Sequence, residues 1–359
     1  MAPTLKAHRS PDRKTTIVEV GGVRFGDGSY PVIAGPGAVE SEEQLRETAE
    51  LVREGGAAML RAGAYTRTGA WGTEGLGDRG VELLAAVGAE VGLPVVAQVT
   101  DTSHVERVAE QVDMLQVGSD QMQDFSLLRA VGAAEKPVLL KRGPSATIDE
   151  WLMSAEYLLA DGNDQVILCE RGIRTFETRT KRTLDISSVP VVQRISHLPV
   201  IIDPSHAAGA RDLVVPLALA GRAVGADGMV VEVHARPHEA VADGEQQLDR
   251  DGYLLLMDAL GVPRLRDEID RIDREIVRLL AKRLGAAVEI GLIKHERGLA
   301  LRSPGREAEL LADVRNEAET LGVDGEFVTA VFQSILENSR ASQRRAVAAR
   351  RGDGPTPSA

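Results

Sequence analysis

The chain has one cysteine, Cys169, in 359 residues. A single thiol rules out an internal disulfide and a zinc site built from cysteines, and it suits a reducing compartment. Aromatics are scarce as well: five Phe, two Trp and four Tyr leave Leu, Val, Ile and Ala to build the core. No apolar run reaches the length of a membrane span, and residues 1–16 hold no apolar signal core. Excess positive charge is missing too. Lys and Arg number 42 against 54 Asp and Glu, and the formal net charge of −12 argues against non-specific nucleic-acid binding. An anionic ligand must therefore be held by a local cationic pocket. These absences predict a soluble, cytoplasmic protein without a nucleic-acid or membrane partner.

Two textures follow one another along the chain. From about residue 30 to 262, short apolar runs begin at Pro31, Ala58, Pro94, Met114, Pro137, Gln165, Pro199 and Gly228, with helix-length segments such as 41–54, 78–91, 147–161 and 210–224 between them. Continuous apolar strands separated by helices predict a parallel sheet covered on its outside. Eight such units fit an α/β protein of the (β/α)8 TIM-barrel type better than an open sheet. Residues 17–29 read as a Gly-turned hairpin ahead of the barrel, and 1–16 as a flexible N-terminus. After Gly261-Val262-Pro263 no β-like run appears. Leu265, Ile269, Ile272, Ile276, Leu279, Leu280, Leu284 and Val288 recur at helical spacing, which predicts a first helix of about eight turns. Breaks at Ser303-Pro304-Gly305 and at Gly322 and Gly325 delimit two more, giving an all-α domain over 264–347, with 348–359 read as a disordered tail. Three helices make a small core, so pairing with a second copy as a homodimer is expected.

A barrel carries its chemistry at the C-terminal ends of its strands. Those ends here are polar or glycyl: Gly37, Arg61, Gln98 with Thr100, Ser119 with Asp120, Lys141 with Arg142, Glu170 with Arg171, Asp203 with His206, and Glu232 with His234. Strand ends emerge into water, and any one charge there has a bland explanation. The convergence of Arg61, Arg67, Lys141, Arg142, Arg171 and Arg174 on one rim predicts a cationic bowl for phosphates and carboxylates. His206, Glu232 and Asp243 add an imidazole and two carboxylates, a donor set suited to a divalent transition metal.

The motifs AGPGAVES (34–41), LRAGAY (60–65), KPVLLKRG (136–143), LCERGIRTFE (168–177), DPSHAAG (203–209) and VEVH…ADGEQ (231–246) resemble the type Iβ 3-deoxy-D-arabino-heptulosonate 7-phosphate (DAHP) synthases. The resemblance implies condensation of phosphoenolpyruvate with the sugar phosphate erythrose 4-phosphate. It implies a divalent metal such as manganese on His206, Glu232 and Asp243, with Arg61, Arg67, Thr68, Lys141, Arg142 and Arg171 holding phosphates. The chain also departs from that pattern. Gly37 stands where the family has a cysteine metal ligand, the KPRT lysine is missing from Tyr65-Thr66-Arg67-Thr68, and Asp120 stands where an arginine grips phosphoenolpyruvate. Each lost charge-assisted contact costs on the order of 1.5–3 kcal/mol, so a lost or altered barrel activity is expected: a poor synthase, a regulatory barrel, or an aldol-type enzyme of specialised metabolism with other substrates. The alternative is a bifunctional enzyme whose barrel is a working DAHP synthase.

The later region, LRDEIDRIDREIVRLLAKRLGAAVEIGLIK (265–294), REAELL (306–311) and FQSILENSRASQ (332–343), resembles the all-α chorismate mutases. That resemblance implies the pericyclic conversion of chorismate to prephenate in the shikimate pathway to aromatic amino acids, which needs no cofactor. The protein has only to hold a compact dicarboxylate and stabilise charge growing on the ether oxygen. Arg283 and Lys294, eleven residues apart, lie about 20° around and ~16 Å along one helix, so they share a face. Arg266, seventeen residues before Arg283, is roughly 100° around and ~25 Å away, too far for the same site in one protomer. By resemblance, Arg266 serves the partner's site. Arg266, Arg283 and Arg306 then bind carboxylates, Lys294 and Gln343 act on the ether oxygen, and Glu307 and Ser339 orient the hydroxyl and a carboxylate. Ser303 replaces an Asp common in the family, which weakens one hydroxyl contact and admits an amino-substituted chorismate.

Overall fold

A computed structural model describes residues 5–65, 67–68, 73–160, 162–262 and 265–351, with backbone alone at 67–68, 73–74, 265–271 and 351. The chain divides into two compact units, 1–267 and 268–359.

In the first unit a short antiparallel hairpin, β1 (Val18–Val20) and β2 (Val23–Phe25), precedes the barrel. Eight parallel strands then close on themselves: β3 (Val32–Gly35), β4 (Met59–Ala62), β7 (Val95–Val99), β8 (Met114–Val117), β9 (Val138–Lys141), β10 (Val166–Glu170), β11 (Val200–Ile202) and β12 (Met229–Glu232), with β12 paired back to β3. Each apolar run of the sequence is one of these strands. Between β4 and β7 a two-stranded ribbon, β5 (Arg67–Thr68) and β6 (Thr73–Glu74), branches off. The outer layer is α1 (Glu42–Glu54), α2 (Asp78–Val91), α3 (Thr102–Gln111), α4 (Phe125–Ala133), α5 (Ile148–Ala160), α6 (Ser188–Ile195), the short α7 (Pro204–Ala208), α8 (Arg211–Ala223) and α9 (Arg250–Leu260).

The alternation of side chains along a strand splits the core in two. One set, including Leu60, Leu115, Leu140, Leu168 and Ile202, packs against the helices. The other, Ile33, Met59, Val96, Met114, Leu139, Ile167, Ile201 and Val230, clusters separately with Val18, Val20 and Phe25 of the hairpin. Two residues further along six of these strands, on the same face, come Arg61, Gln98, Gln116, Lys141, Asp203 and Glu232, while Cys169 on β10 stays in the apolar cluster. The strand period therefore builds a polar layer directly above an apolar one.

The N-terminal segment is tied down where a flexible tail was expected. The backbone N–H groups of Lys6 and Ala7 donate to the Glu156 carboxylate (2.9 and 3.0 Å), His8 bridges Ser196, and the His197 ring meets both Lys6 O (2.7 Å) and Thr16 Oγ1 (2.8 Å). These are polar partners, which a search for apolar patterning does not find.

The second unit consists of α10 (Leu265–Glu296), α11 (Pro304–Thr320) and α12 (Gly325–Arg351). The last helix continues to Arg351, so 348–351 are helical rather than part of a disordered tail; residues 352–359 lie outside the described residues. No helix among the described residues is long and apolar enough to cross a membrane.

Candidate active sites

At the mouth of the barrel nearly every buried cation faces a buried carboxylate. Lys141 Nζ donates to Asp203 Oδ2 (2.6 Å), and His206 Nδ1 lies 2.8 Å from the same oxygen. Asp203 Oδ1 meanwhile accepts from the His206 N–H and caps α7 (3.0 Å). Burial opposes ionisation of Asp203, but His206 and Lys141 outweigh it and hold the carboxyl well below its ordinary range. Arg61 Nη1 donates to Glu232 Oε1 (2.7 Å) and to Pro36 O (3.1 Å), while Gln246 Nε2 donates to Glu232 Oε2 (2.6 Å). Glu232 is likewise kept ionised: burial works against it, and His206 and Arg61 prevail. Arg142 Nη1 spans Glu170 (2.8 Å) and Asp185 (2.9 Å), and its guanidinium stands over the Trp151 ring.

His206, Glu232 and Asp243 come together as the sequence predicted. One ligand atom from each lies within 4.8 Å of the others, and His206 Nε2 is 3.4 Å from Glu232 Oε1. A carboxylate behind an imidazole, as Asp203 stands behind His206, is the arrangement that orients a histidine ligand and raises its basicity. The donor set of one nitrogen and two carboxylates fits a divalent cation. Asp243 is held from outside by Lys181, whose Nζ donates to Asp243 Oδ1 (2.8 Å) and to Gln246 Oε1 (3.0 Å). The buried Arg171 Nε has no hydrogen-bond partner, an unspent donor in a site expected to take an anion.

Asp120, expected to repel a phosphate, is exposed on the 3-10 turn Ser119–Gln121. The side chains of Arg67 and Thr68 lie outside the described residues. Lys181, Gln246 and Gln247 were not singled out by sequence reasoning. They come from two loops, Lys181 from one and the two glutamines from the other, and glutamines carry no chemical signature of their own.

In the helical unit, α12 meets α10 along the face that carries Arg283 and Lys294. Arg283 Nη1 donates to Ser339 Oγ (3.0 Å), and Gln343 Nε2 donates to Ala287 O (2.7 Å) between the two cations. Lys294 Nζ reaches Leu301 O at 3.3 Å. Glu307 takes a two-pronged contact from Arg340 (2.9 Å to each oxygen), a residue sequence reasoning passed over, and this contact holds its carboxyl below the ordinary value. Arg306 does not join the group. It is exposed and pairs one turn along its own helix with Glu309 (3.0 Å). The side chain of Arg266 lies outside the described residues.

Comparison with known proteins identifies both halves. Residues 265–344 match the type II chorismate mutases, and residues 11–258 match the DAHP synthetase I family. A phospho-2-dehydro-3-deoxyheptonate aldolase of Thermotoga maritima is 47% identical over 255 residues, covering 69% of this chain and 75% of the relative. A 2-dehydro-3-deoxyphosphooctonate aldolase of Syntrophotalea carbinolica is 31% identical over 256 residues, covering 65% and 91%. A crystal structure of the Thermotoga maritima DAHP synthase matches with a TM-score of 0.70 at 45% identity, covering 73% of this chain and 79% of that one. The chain belongs to the DAHP synthetase I family and carries a type II chorismate mutase domain after its barrel.

Proposed function

We propose that both domains are active: the barrel condenses phosphoenolpyruvate with erythrose 4-phosphate, and the helical domain converts chorismate to prephenate. The departures at Gly37, at 65–68 and at Asp120 predicted a lost or altered barrel activity. The 47% identity to a phospho-2-dehydro-3-deoxyheptonate aldolase instead supports a working synthase. The single observation that carries this reading is the convergence of His206, Glu232 and Asp243, supported by Asp203 and Lys181, beside buried Lys141, Arg142 and Arg61. A scaffold has no need for such a set.

A divalent ion on the three ligands would polarise the aldehyde. The protein's own groups do the rest. Arg171, with its free Nε, is placed to take a carboxylate or phosphate oxygen, and Lys141, which spends one donor on Asp203, has further N–H donors to offer substrate. In the helical domain, Arg283 takes a carboxylate, Ser339 orients it, and Lys294 and Gln343 supply donors to the ether oxygen, whose charge grows in the transition state. Incubating full-length protein with both sugar phosphates and Mn2+ should release inorganic phosphate, and a chelator should stop it. Chorismate should disappear in parallel, and a Lys294→Ala variant should lose only that second activity, by about 10²-fold or more. Phosphate release no faster than in a His206→Ala variant would refute the barrel assignment. Undiminished chorismate turnover in Lys294→Ala would refute the ether-oxygen donor.

A further inference from the structure

Position 37 lies against the ligand trio. A Cβ there would stand 3.3 Å from Glu232 Oε1 and 3.3 Å from Gln247 Nε2, so any side chain would enter the space beside the metal ligands. Glycine sends nothing into that space, and Gln247 is already committed. Its Oε1 accepts from the Gly37 N–H (3.0 Å), and its Nε2 donates to Ala242 O (2.7 Å). With both ends of the amide engaged within the protein, Gln247 closes this side without becoming a ligand.

No sulfur elsewhere replaces the missing donor. The chain's one cysteine, Cys169, is fully buried inside the barrel. It does not belong to the group of His, Cys, Asp and Glu side chains within ligating distance of one another, which among the described residues is His206, Glu232 and Asp243. Burial also pushes its thiol far above the ordinary value, so it remains a neutral S–H, a poor ligand. Met122 Sδ accepts from the Gly143 N–H (3.0 Å).

Building on the metal reading above, we infer that this is a sulfur-free, three-ligand centre. One nitrogen and two carboxylates hold the ion, the Gly37–Gln247 lock excludes a fourth protein ligand, and the remaining coordination positions belong to water and substrate. Two properties follow. A thiophilic ion such as Cd2+ gains no thiolate advantage here, and metal retention is indifferent to thiol oxidation.

Cobalt reports ligand type directly. Full-length protein stripped of metal and titrated with Co2+ should show weak ligand-field bands and no near-ultraviolet thiolate-to-cobalt charge-transfer band. Gly37→Cys combined with Gln247→Ala, which makes room for the side chain, should gain that band. The same change should raise Cd2+ affinity by about tenfold or more with a much smaller effect on Mn2+. Peroxide should release metal from the double variant and leave the parent loaded. A charge-transfer band in the parent, abolished by Cys169→Ala, would overturn the inference, as would peroxide release of metal from the parent. Failure of the parent to bind Co2+, or binding undiminished by His206→Ala, would instead remove the metal reading beneath it. The parent spectrum decides the matter even if the double variant does not fold.

Discussion

At position 291 a hydrogen is the only side chain that α10 can present to α12. A Cβ there would come within 2.7 Å of Gln343 Cγ and 2.9 Å of its Cβ. The glycine therefore sets how closely Gln343 approaches the face between Arg283 and Lys294. Gly291→Ala should push Gln343 outward and withdraw one donor from the ether oxygen, lowering mutase kcat by about 10²-fold. Overpacking by one methyl should cost about 1–3 kcal/mol of stability. Melting temperature and kcat measured on the same preparation separate the two effects. A variant that melts lower but turns over chorismate normally would show that Gln343 has no part in the chemistry.

At the scale of elements, the segment over residues 5–16 is held by a buried imidazole. His197 Nε2 donates to Lys6 O, and its Nδ1 meets the Thr16 hydroxyl at 2.8 Å. Burial pushes its pKa below the ordinary 6.5 and Arg13 adds to the shift, against the opposing pulls of the Lys6 carbonyl and Asp164. The sign follows from linkage. The unfolded chain takes up this proton near pH 6.5 and the folded chain only at lower pH, so the stability is present above 6.5 and is lost as pH falls through the lowered value. Protection of residues 5–16 against hydrogen exchange, taken relative to the intrinsic exchange rate at each pH, should fall as the pH drops below the ordinary 6.5. His197→Gln, which keeps a neutral side chain, should flatten that dependence; an unchanged profile would place the sensitivity elsewhere. Glu156 and His197 also show why this segment was misread. Strands buried on both faces, such as Val138–Lys141, announce themselves as apolar runs, whereas a strap fastened by a carboxylate on a helix and an imidazole on a loop, both far away in sequence, leaves no local pattern. The same limit applies to the site. His206, Glu232 and Lys141 were legible because strand ends are legible, but Lys181 and Gln246 earn their places only through contacts between loops.

At the scale of the whole molecule, the first helix of the mutase domain does not bury its apolar stripe within its own unit. Ile276, Val277 and Leu279 are 49%, 64% and 57% exposed, and Ile272, Ile290 and Ile293 are also open to solvent. A stripe of this extent on a 32-residue helix is what a second copy would cover. The spacing from Arg266 to Arg283, roughly 25 Å along one helix, points the same way from the side of the chemistry, since one protomer does not easily bring both to a single chorismate. If each site borrows Arg266 from its partner, variants can complement. Arg266→Ala and Lys294→Ala homodimers should both be nearly inactive in the mutase assay. Unfolded together and refolded at equal amounts, they should form half heterodimers by statistics, each with one site carrying both lesions and one site carrying neither. Mutase activity should then return to about a quarter of the unmodified level. Light scattering should report a dimer throughout. Refolding that restores no activity while heterodimers are present would show that Arg266 serves its own protomer or none. The synthase activity proposed for the barrel gives the internal control: both substitutions lie within the residues matched to the chorismate mutases, and it should stay constant across every mixture.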